Sequence, residues 1–440
     1  MRLLIVDPAG AALDLAVRAQ NCGHTVKHFI RDTPKTAAIG AAMTTVIRDL
    51  AEWMRWPDLV FCADNTMFMR DVDTMRRSGI PVVGASPETA MWELDRDKGM
   101  SVLRSVGIKT PPSKAFSSYD DAIAHVKSTM KRFVSKPSGD ADKALSYVAK
   151  SPADLVYMLE RWKANDKLKG DFILQDFVPG VEMAVGGWHG PHGFNAGWLE
   201  NWEFKKLMVG DLGVATGEQG TVMRYVKQSR LADQMLVPLK RKLAKARYVG
   251  YIDVNCIVDE HGQAWPLEFT MRPGWPTFNI EQALRSGDSV QWLLDLARGA
   301  DTASISYNEI ALGIVLSIPD YPYSHLTHKQ VEGTPIYGVT PGMWKSLHPC
   351  EMAMGVAPFQ IGDKIESSLV PVTAGDYVLV MSATGPDVVT AKQRALRRLA
   401  RLIVPNSPMW RTDIGDRLNK QLPKLQAHGL ARGMIYRQTA

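Results

Sequence analysis

Apolar runs separated by amphipathic stretches open the chain. RLLIVD (Arg2 to Asp7), HTVKHFI (His24 to Ile30), DLVFCAD (Asp58 to Asp64) and IPVVGA (Ile80 to Ala85) read as strands, and helical spacing covers Ala11 to Cys22, Ala37 to Trp56 and Asp71 to Ser78. Strand and helix in alternation imply a parallel sheet with helices on both faces. Sites in such sheets lie at the carboxyl ends of strands, here Asp7-Pro8-Ala9-Gly10 and Ala63-Asp64-Asn65. The first of these lacks a full dinucleotide fingerprint.

Beyond Glu93, LDRDKGMSVLRSVGIKTPP has helical spacing and stops at Pro111-Pro112. A helix near Asp120 to Lys131 follows, then the strand RFVSKP, the polar loop SGDADKALS and the strand YVAK. That loop, flanked by Lys136 and Lys143, reads either as a flap over phosphates or as an ordinary exposed hairpin. DFILQDFVPGVEMAV places a turn at Pro179-Gly180 before a strand carrying Glu182. EFKKLMVGDLGVATGEQGTV (Glu203 to Val222) gathers glycine with Lys205, Lys206, Asp211 and Thr216, which predicts a loop whose backbone lies close to something. From about Ile310 the chain reads as strands, turns and a helix from Val388 to Ile403.

The richest chemistry lies in WPLEFTMRPGWPTFN (Trp265 to Asn279). In an extended strand Glu268, Thr270 and Arg272 share one face, with Leu267, Phe269 and Met271 on the other. A carboxylate, a neutral oxygen and a guanidinium in a row suit a divalent cation beside phosphate; an amphipathic strand at a solvated edge is the plainer reading. The preceding strand GYIDVNCIV leads through the turn Asp259-Glu260-His261-Gly262, so antiparallel pairing is expected to bring Asp253 towards Glu268, with Asn255 on the same face. Two carboxylates brought together call for a cation, or else for an ion pair with a nearby Lys or Arg.

Composition narrows the class without choosing a function. The 440 residues are 45% hydrophobic and 22% charged, ordinary for a protein of two to four domains with a sizeable core. No apolar run has the length of a membrane span and the N-terminus lacks a secretory pattern, so a cytoplasmic protein is expected. Cys22, Cys62, Cys256 and Cys350 are too scattered for a zinc site. A net charge of +6 fits anionic small molecules. The basic runs KRKLAKAR and RALRRLARL read as solvated helix faces, so nucleic acid is not expected as a partner.

The order of these features resembles the ATP-grasp superfamily, and within it the glycinamide ribonucleotide synthetase (phosphoribosylamine–glycine ligase) family. IPVVGASPETAMWELDR is similar to the end of that family's first domain, EFKKLMVGDLGVATGEQGTV to its segment of form DHKR, DGD, G, NTGGMG, and DYVLVMSATGPDVVTAKQRALRRLARLI with WRTDIGDRL to its C-terminal domain. The resemblance covers essentially the whole chain. It implies an α/β (α+β) ATP-grasp fold with an N-terminal Rossmann-like parallel-sheet domain (1–95), an ATP-grasp domain (96–310, with a small lid at 112–172) and a C-terminal mixed α/β domain (311–440).

The same resemblance implies roles for single residues. Lys136 and Lys143 match lysines on the ATP phosphates, Arg96 stands where a lysine is usual, Gln175, Asp176, Phe177 and Val178 form the adenine hinge, and Glu182 meets the ribose. Glu268 matches a metal ligand, Thr270 replaces an asparagine, Asp253 resembles the acidic ligand of more distant relatives, and Arg272 with Lys143 steadies the reacting phosphoryl group; Asn255, on the same strand face as Asp253, could add another oxygen to the metal. Substrate contacts fall on Asp64, Asn65, Lys205, Asp211, Thr216, Gly217, Trp275 and Thr277. Three segments depart from the family: GPE becomes CAD followed by Asn65, RFGDPE becomes RPGWPT, and NTGGMG becomes ATGEQG. The implied activity is ligation of a carboxylate, such as glycine, to an amine through an acyl phosphate, using ATP with Mg²⁺ or Mn²⁺, by a monomer or homodimer. A different amino acid or amine outside purine synthesis, or nucleotide binding without ligation, are the alternatives.

Overall fold

The computed structural model describes residues 1–137, 146–165, 171–325, 328–405 and 407–437. Lys143 and the rest of the expected flap, 138–145, lie outside them. The chain forms two compact units: one of 1–90, 183–253 and 270–440, the other of 91–182 and 254–269.

The first unit begins with β1 (Arg2–Val6), β2 (Thr25–Phe29), β3 (Val46–Ile47), β4 (Leu59–Cys62) and β5 (Val82–Val83). All pair in parallel, in the order β3-β2-β1-β4-β5. Helices α1 (Leu13–Asn21) and α2 (Met69–Arg77) stand where the spacing places them. Strand residues Leu3 to Val6 and Leu59 to Phe61 are fully buried, as a sheet covered on both faces demands. The helix expected over Ala37 to Trp56 is absent; turns, β3 and a short 3-10 turn at Ala51–Trp53 replace it. Gly40 adopts the left-handed conformation, and the Arg48 guanidinium gathers the carbonyls of Ile30, Arg31, Thr36 and Ala37, the last of them within the expected helix.

After α3 (Pro87–Leu94) comes the second unit. Asp95 caps α4 (Arg96–Arg104), accepting from Lys98 N at 3.0 Å, which makes Arg96 the first helical residue. Strands β6 (Ser113–Phe116), β7 (Phe133–Pro137), β8 (Tyr147–Val148) and β9 (Phe172–Asp176) form an antiparallel sheet in the order β6-β9-β7-β8. Helices α5 (Tyr119–Thr129) and α6 (Pro152–Ala164) cover it, burying Ala122, Val126, Leu155, Leu159 and Trp162 with Phe133 and Phe172.

Strand β10 (Val181–Gly190) returns the chain to the first unit, where β11 (Gly193–Phe194), β12 (Trp198–Met208) and β13 (Leu212–Val226) follow. The glycine-rich segment is therefore the long β12/β13 hairpin with irregular register, not a loop. One of its glycines does mark close approach, but to the protein's own strand: a Cβ on Gly220 would stand 2.5 Å from the Gly313 carbonyl. Next come α7 (Arg230–Met235), α8 (Lys240–Lys245) and β14 (Gly250–Val258), along which the chain passes into the second unit and pairs with β15 (Ala264–Thr270). Then α9 (Thr277–Glu281), β16 (Arg285–Ser286), α10 (Ser289–Arg298), β17 (Ser304–Ile305), β18 (Ile310–Leu316), α11 (His328–Val331), β19 (Leu347–Pro349), β20 (Met352–Ile361), β21 (Lys364–Thr373), β22 (Leu379–Gly385), α12 (Val388–Leu399) and α13 (Leu418–Ala427) complete the first unit. Within it the large sheet runs β14-β10-β12-β13-β18-β22-β19. Among the described residues no helix is long and apolar enough to cross a membrane.

A buried carboxylate fastens α9 to this sheet. Glu281, 1% exposed, accepts from Trp188 Nε1 at 2.9 Å, from the Tyr225 hydroxyl and from Arg285 Nε at 2.6 Å. The Arg285 guanidinium also lies 3.6 Å from the Trp292 ring centroid. Removing one partner of a buried pair strands the other, so Glu281→Ala should destabilise the protein by about 3–5 kcal/mol. Denaturant unfolding with an unchanged midpoint would refute that role.

Candidate active site

In the second unit, β7 and β9 place Lys136 and Gln175 on one sheet face as diagonal neighbours, since Val134 pairs with Gln175 and Lys136 with Ile173. Both are buried, and Lys136 Nζ donates to Gln175 Oε1 at 2.7 Å. The hinge continues from β9: Asp176 N and Phe177 N donate to the carbonyls of Pro112 and Arg132, and the Arg132 guanidinium lies 3.4 Å from the Phe177 ring centroid. Asp176 also pairs with Lys131 at 3.2 Å. Glu182 is half-buried at the start of β10.

The hairpin turn before β15 is built as the sequence suggests. Asp259 Oδ1 accepts from His261 N and Gln263 N, Oδ2 accepts from Trp265 Nε1, and Gly262 supplies the left-handed residue. Along β15, Phe269 is buried and packs on Trp92 at 5.7 Å, while Glu268 on the opposite face keeps 43% of its side chain exposed. Glu268 Oε2 pairs with Arg96 Nη2 at 3.1 Å, the ion pair that competed with a metal in the sequence. Asn255 is buried on β14. The strand ends at Thr270, so Arg272 lies beyond it; Arg272 Nη1 donates to the Pro273 carbonyl at 3.1 Å.

In the first unit Asp253 is buried on β14. Its Oδ2 accepts from Asn201 Nδ2 at 2.9 Å and from the Tyr251 hydroxyl at 3.0 Å, while its Oδ1 has no hydrogen-bond partner. Burial first, then the neighbouring Glu203, push this carboxyl up to about 7. Gly186 makes room for the arrangement, because a Cβ there would stand 1.9 Å from the Tyr251 hydroxyl. An orphaned, buried oxygen on a carboxylate fits a hard cation. Among the described residues no three His, Cys, Asp or Glu side chains cluster as a metal cage.

The substrate-segment residues have varied surroundings. Asp64 Oδ2 accepts from Thr66 N, Thr66 Oγ1 and Met67 N, so it caps its own turn, and Asn65 is buried beside it. Lys205 pairs with Glu203 at 3.0 Å. Asp211, at the exposed tip of the β12/β13 hairpin, is held by Arg411 and Arg417. Thr216 donates to the Lys205 carbonyl and accepts from Gln219 Nε2, and Gly217 faces open space. Trp275 donates from its indole to the Ala63 carbonyl at 3.3 Å, and Thr277 is buried at the start of α9.

Sequence reasoning missed a group around Tyr377. Glu351 Oε2 accepts from Tyr377 N at 2.9 Å, and buried Asp376 accepts from Ser324 Oγ at 2.7 Å. Glu351 is half-buried as a residue, but its carboxyl is desolvated: a Cβ on Gly375 would stand only 2.1 Å from Oε2. Desolvation, reinforced by Asp376, pushes Glu351 up to about 7, with Lys35 opposing. No motif marks these residues; they meet only because β19, β20 and β22 converge.

This combination of a helix-flanked parallel sheet, a helix-covered antiparallel sheet and a large mixed sheet is the ATP-grasp fold. Solved structures share it: phosphoribosylamine–glycine ligase from Thermotoga maritima (TM-score 0.68, 18% identity, 94% of this chain and 100% of that one) and the biotin carboxylase domain of 2-oxoglutarate carboxylase from Hydrogenobacter thermophilus, in complex with MgADP, ADP and bicarbonate (0.63, 12%, 93% and 91%). In sequence the chain is similar to phosphoribosylamine–glycine ligases in particular, 23% identical to that of Neisseria meningitidis serogroup B over 95% of this chain and 99% of the relative, and 22% to that of Escherichia coli O157:H7 over 90% and 94%. No family model matches the chain.

The raised Glu351 carboxyl has a measurable consequence. An acid raised in the folded state binds its proton more tightly there, so its contribution to stability is complete below about pH 4.5 and is lost as pH rises through about 7. Glu351→Gln should therefore raise the unfolding free energy at pH 8 by on the order of 2 kcal/mol, the gain closing towards pH 5. Thermal melts whose difference does not vary with pH would contradict it.

Proposed function

We propose that this protein is an ATP-dependent carboxylate–amine ligase that forms an amide through an acyl phosphate. The observation that carries the reading is the pairing of a nucleotide-side set, Lys136 on Gln175 beside the β9 hinge, with whole-length similarity to phosphoribosylamine–glycine ligases.

ATP is assigned to Arg96, Lys136 and Lys143 for its phosphates, to Gln175, Asp176, Phe177 and Val178 for adenine, and to Glu182 for ribose. Because Asp176 N and Phe177 N are already committed, adenine contacts fall to Val178 and the hinge carbonyls. Asp253, Asn255, Glu268 and Thr270, on the strand pair β14/β15, would hold Mg²⁺ or Mn²⁺, which supplies positive charge against the β- and γ-phosphates. Lys143 and Arg272 are assigned to charge developing on the transferring phosphoryl group.

The reaction balances without an enzyme nucleophile. A carboxylate oxygen takes the terminal phosphoryl group and ADP leaves; the neutral amine then attacks the carbonyl carbon. The C–N bond forms, the C–O bond to phosphate breaks, phosphate leaves with the electron pair, and the amine proton passes to solvent. Asp64, Asn65, Lys205, Asp211, Thr216, Gly217, Trp275 and Thr277 are the proposed substrate set, glycine the first carboxylate to try, and the cytoplasm the proposed compartment. The Arg96–Glu268 pair is partly exposed, so its loss costs little stability. Glu268→Ala should lower substrate-dependent ADP release by about a hundredfold or more while unfolding shifts by about 0.5 kcal/mol or less. Wild-type turnover in that variant would sink the metal assignment.

A further inference from the structure

Three parts of the first unit enclose a cavity of about 660 Å³: α1, the stretch from Gln282 into the start of α10, and the 3-10 turn Pro341–Lys345 that leads to β19. That volume is in the range of small-molecule sites. Ala12, Leu15, Ala16 and Ala19 turn one side of α1 into the core, while Asp14, Val17, Arg18 and Asn21 lie on the opposite side and line the cavity. None of the lining residues belongs to the sets assigned to ATP, metal or substrate.

The charged groups of the wall differ in what they have left to offer. Asp14 Oδ1 accepts from Arg18 Nε at 2.8 Å and its Oδ2 meets His348 Nδ1 at 2.8 Å. Asp288 Oδ1 accepts from Val290 N and Gln291 N, and its Oδ2 meets His24 Nε2 at 2.7 Å. Both carboxylates are therefore met by the protein itself. The cations are not. Arg18 spends Nε and Nη2, the latter on the Lys345 carbonyl and His348, and Arg285 spends Nε on Glu281 and Nη2 on the Tyr225 hydroxyl. Among the described residues neither Nη1 has a hydrogen-bond partner, and Lys345 Nζ has neither a hydrogen bond nor an ion pair. The Arg285 side chain lines the cavity at only 6% exposure, and polar groups buried to that degree are normally met. Val17, Ala283, Val290, Trp344 and Pro349 make the rest of the wall largely apolar.

We propose that this cavity binds a small organic phosphate, its oxygens on the idle N–H groups of Arg18, Arg285 and Lys345 and its apolar part against Trp344. Two guanidinium groups and an ammonium, reaching in from three separate parts of the chain, suit an anion with three equivalent oxygens better than one with two. The site stands apart from the ligase reading and does not depend on it.

The test is isothermal titration of the full chain with phenyl phosphate, whose ring and phosphate match the two halves of the wall. Saturating Mg²⁺ and the non-hydrolysable ATP analogue AMP-PNP are present throughout, so that the probe does not report a nucleotide site. Phenyl phosphate is expected to bind at least about tenfold tighter than benzoate or phenol. Lys345→Gln and Trp344→Ala, both on the 3-10 turn, should each weaken it by about fivefold or more, and Arg18→Gln by about tenfold. ADP release without the probe should stay unchanged in all three. Absence of phenyl phosphate binding, or affinity unaltered in the three variants, overturns the site. Benzoate bound as tightly as phenyl phosphate overturns the phosphate assignment.

Discussion

The Glu281 carboxylate is the interaction on which the geometry of the first unit turns. An ionised group at 1% exposure is stable only when its lone pairs are met, and Trp188 on β10, Tyr225 on β13 and Arg285 after α9 meet them. Three separate parts of the chain are thereby held to one oxygen. Because Glu281 closes α9, the same contact fixes the segment before that helix. Phe278 stacks on Phe61 at 5.4 Å and Trp275 meets Phe278 edge-on at 5.5 Å, so packing and the indole hydrogen bond together hold Trp275 at the Ala63 carbonyl. The divergent PGWPT segment is thus bolted to the end of β4.

That fixes what the sequence could and could not convey. Strands buried on both faces, such as β1 and β4, and the Asp259–Gly262 turn are local matters of apolar runs and Asx chemistry, and both were legible. Helix spacing over Ala37 to Trp56 misled because the competing partner, Arg48, acts through side-chain hydrogen bonds that periodicity does not register. Of the glycines from Glu203 to Val222, Gly220 marks a close approach, to the backbone of β18, while Gly217 faces open space. Lys136 and Gln175 were named separately through the family resemblance and the strand register pairs them, whereas Glu351, Asp376 and Asn279 come from distant segments with no shared motif.

The two halves of the chemistry are tuned oppositely. In the second unit Lys136 is buried and hydrogen-bonded to the neutral amide of Gln175. At the strand ends of the first sheet the available backbone donors are consumed by Asp7 and Asp64, and the surplus groups are acceptors. Of the three departures from the resembled family, Cys62 to Asn65 falls at one of these strand ends, while RPGWPT leads into α9 and ATGEQG lies on β13.

Glu351 shows why such a group persists. Holding a carboxyl where its ionisation moves up to about 7 works against folding at neutral pH, and Gly375 aggravates the cost by exposing more backbone freedom to the unfolded chain. Both features are cheap to remove: a glutamine relieves the charge, and an alanine at 375 would stiffen the turn but for the 2.1 Å clash with Oε2. Glycine at 375 and the raised carboxyl at 351 are therefore one feature: the missing Cβ is what lets Oε2 approach the backbone there, and the same close approach desolvates it.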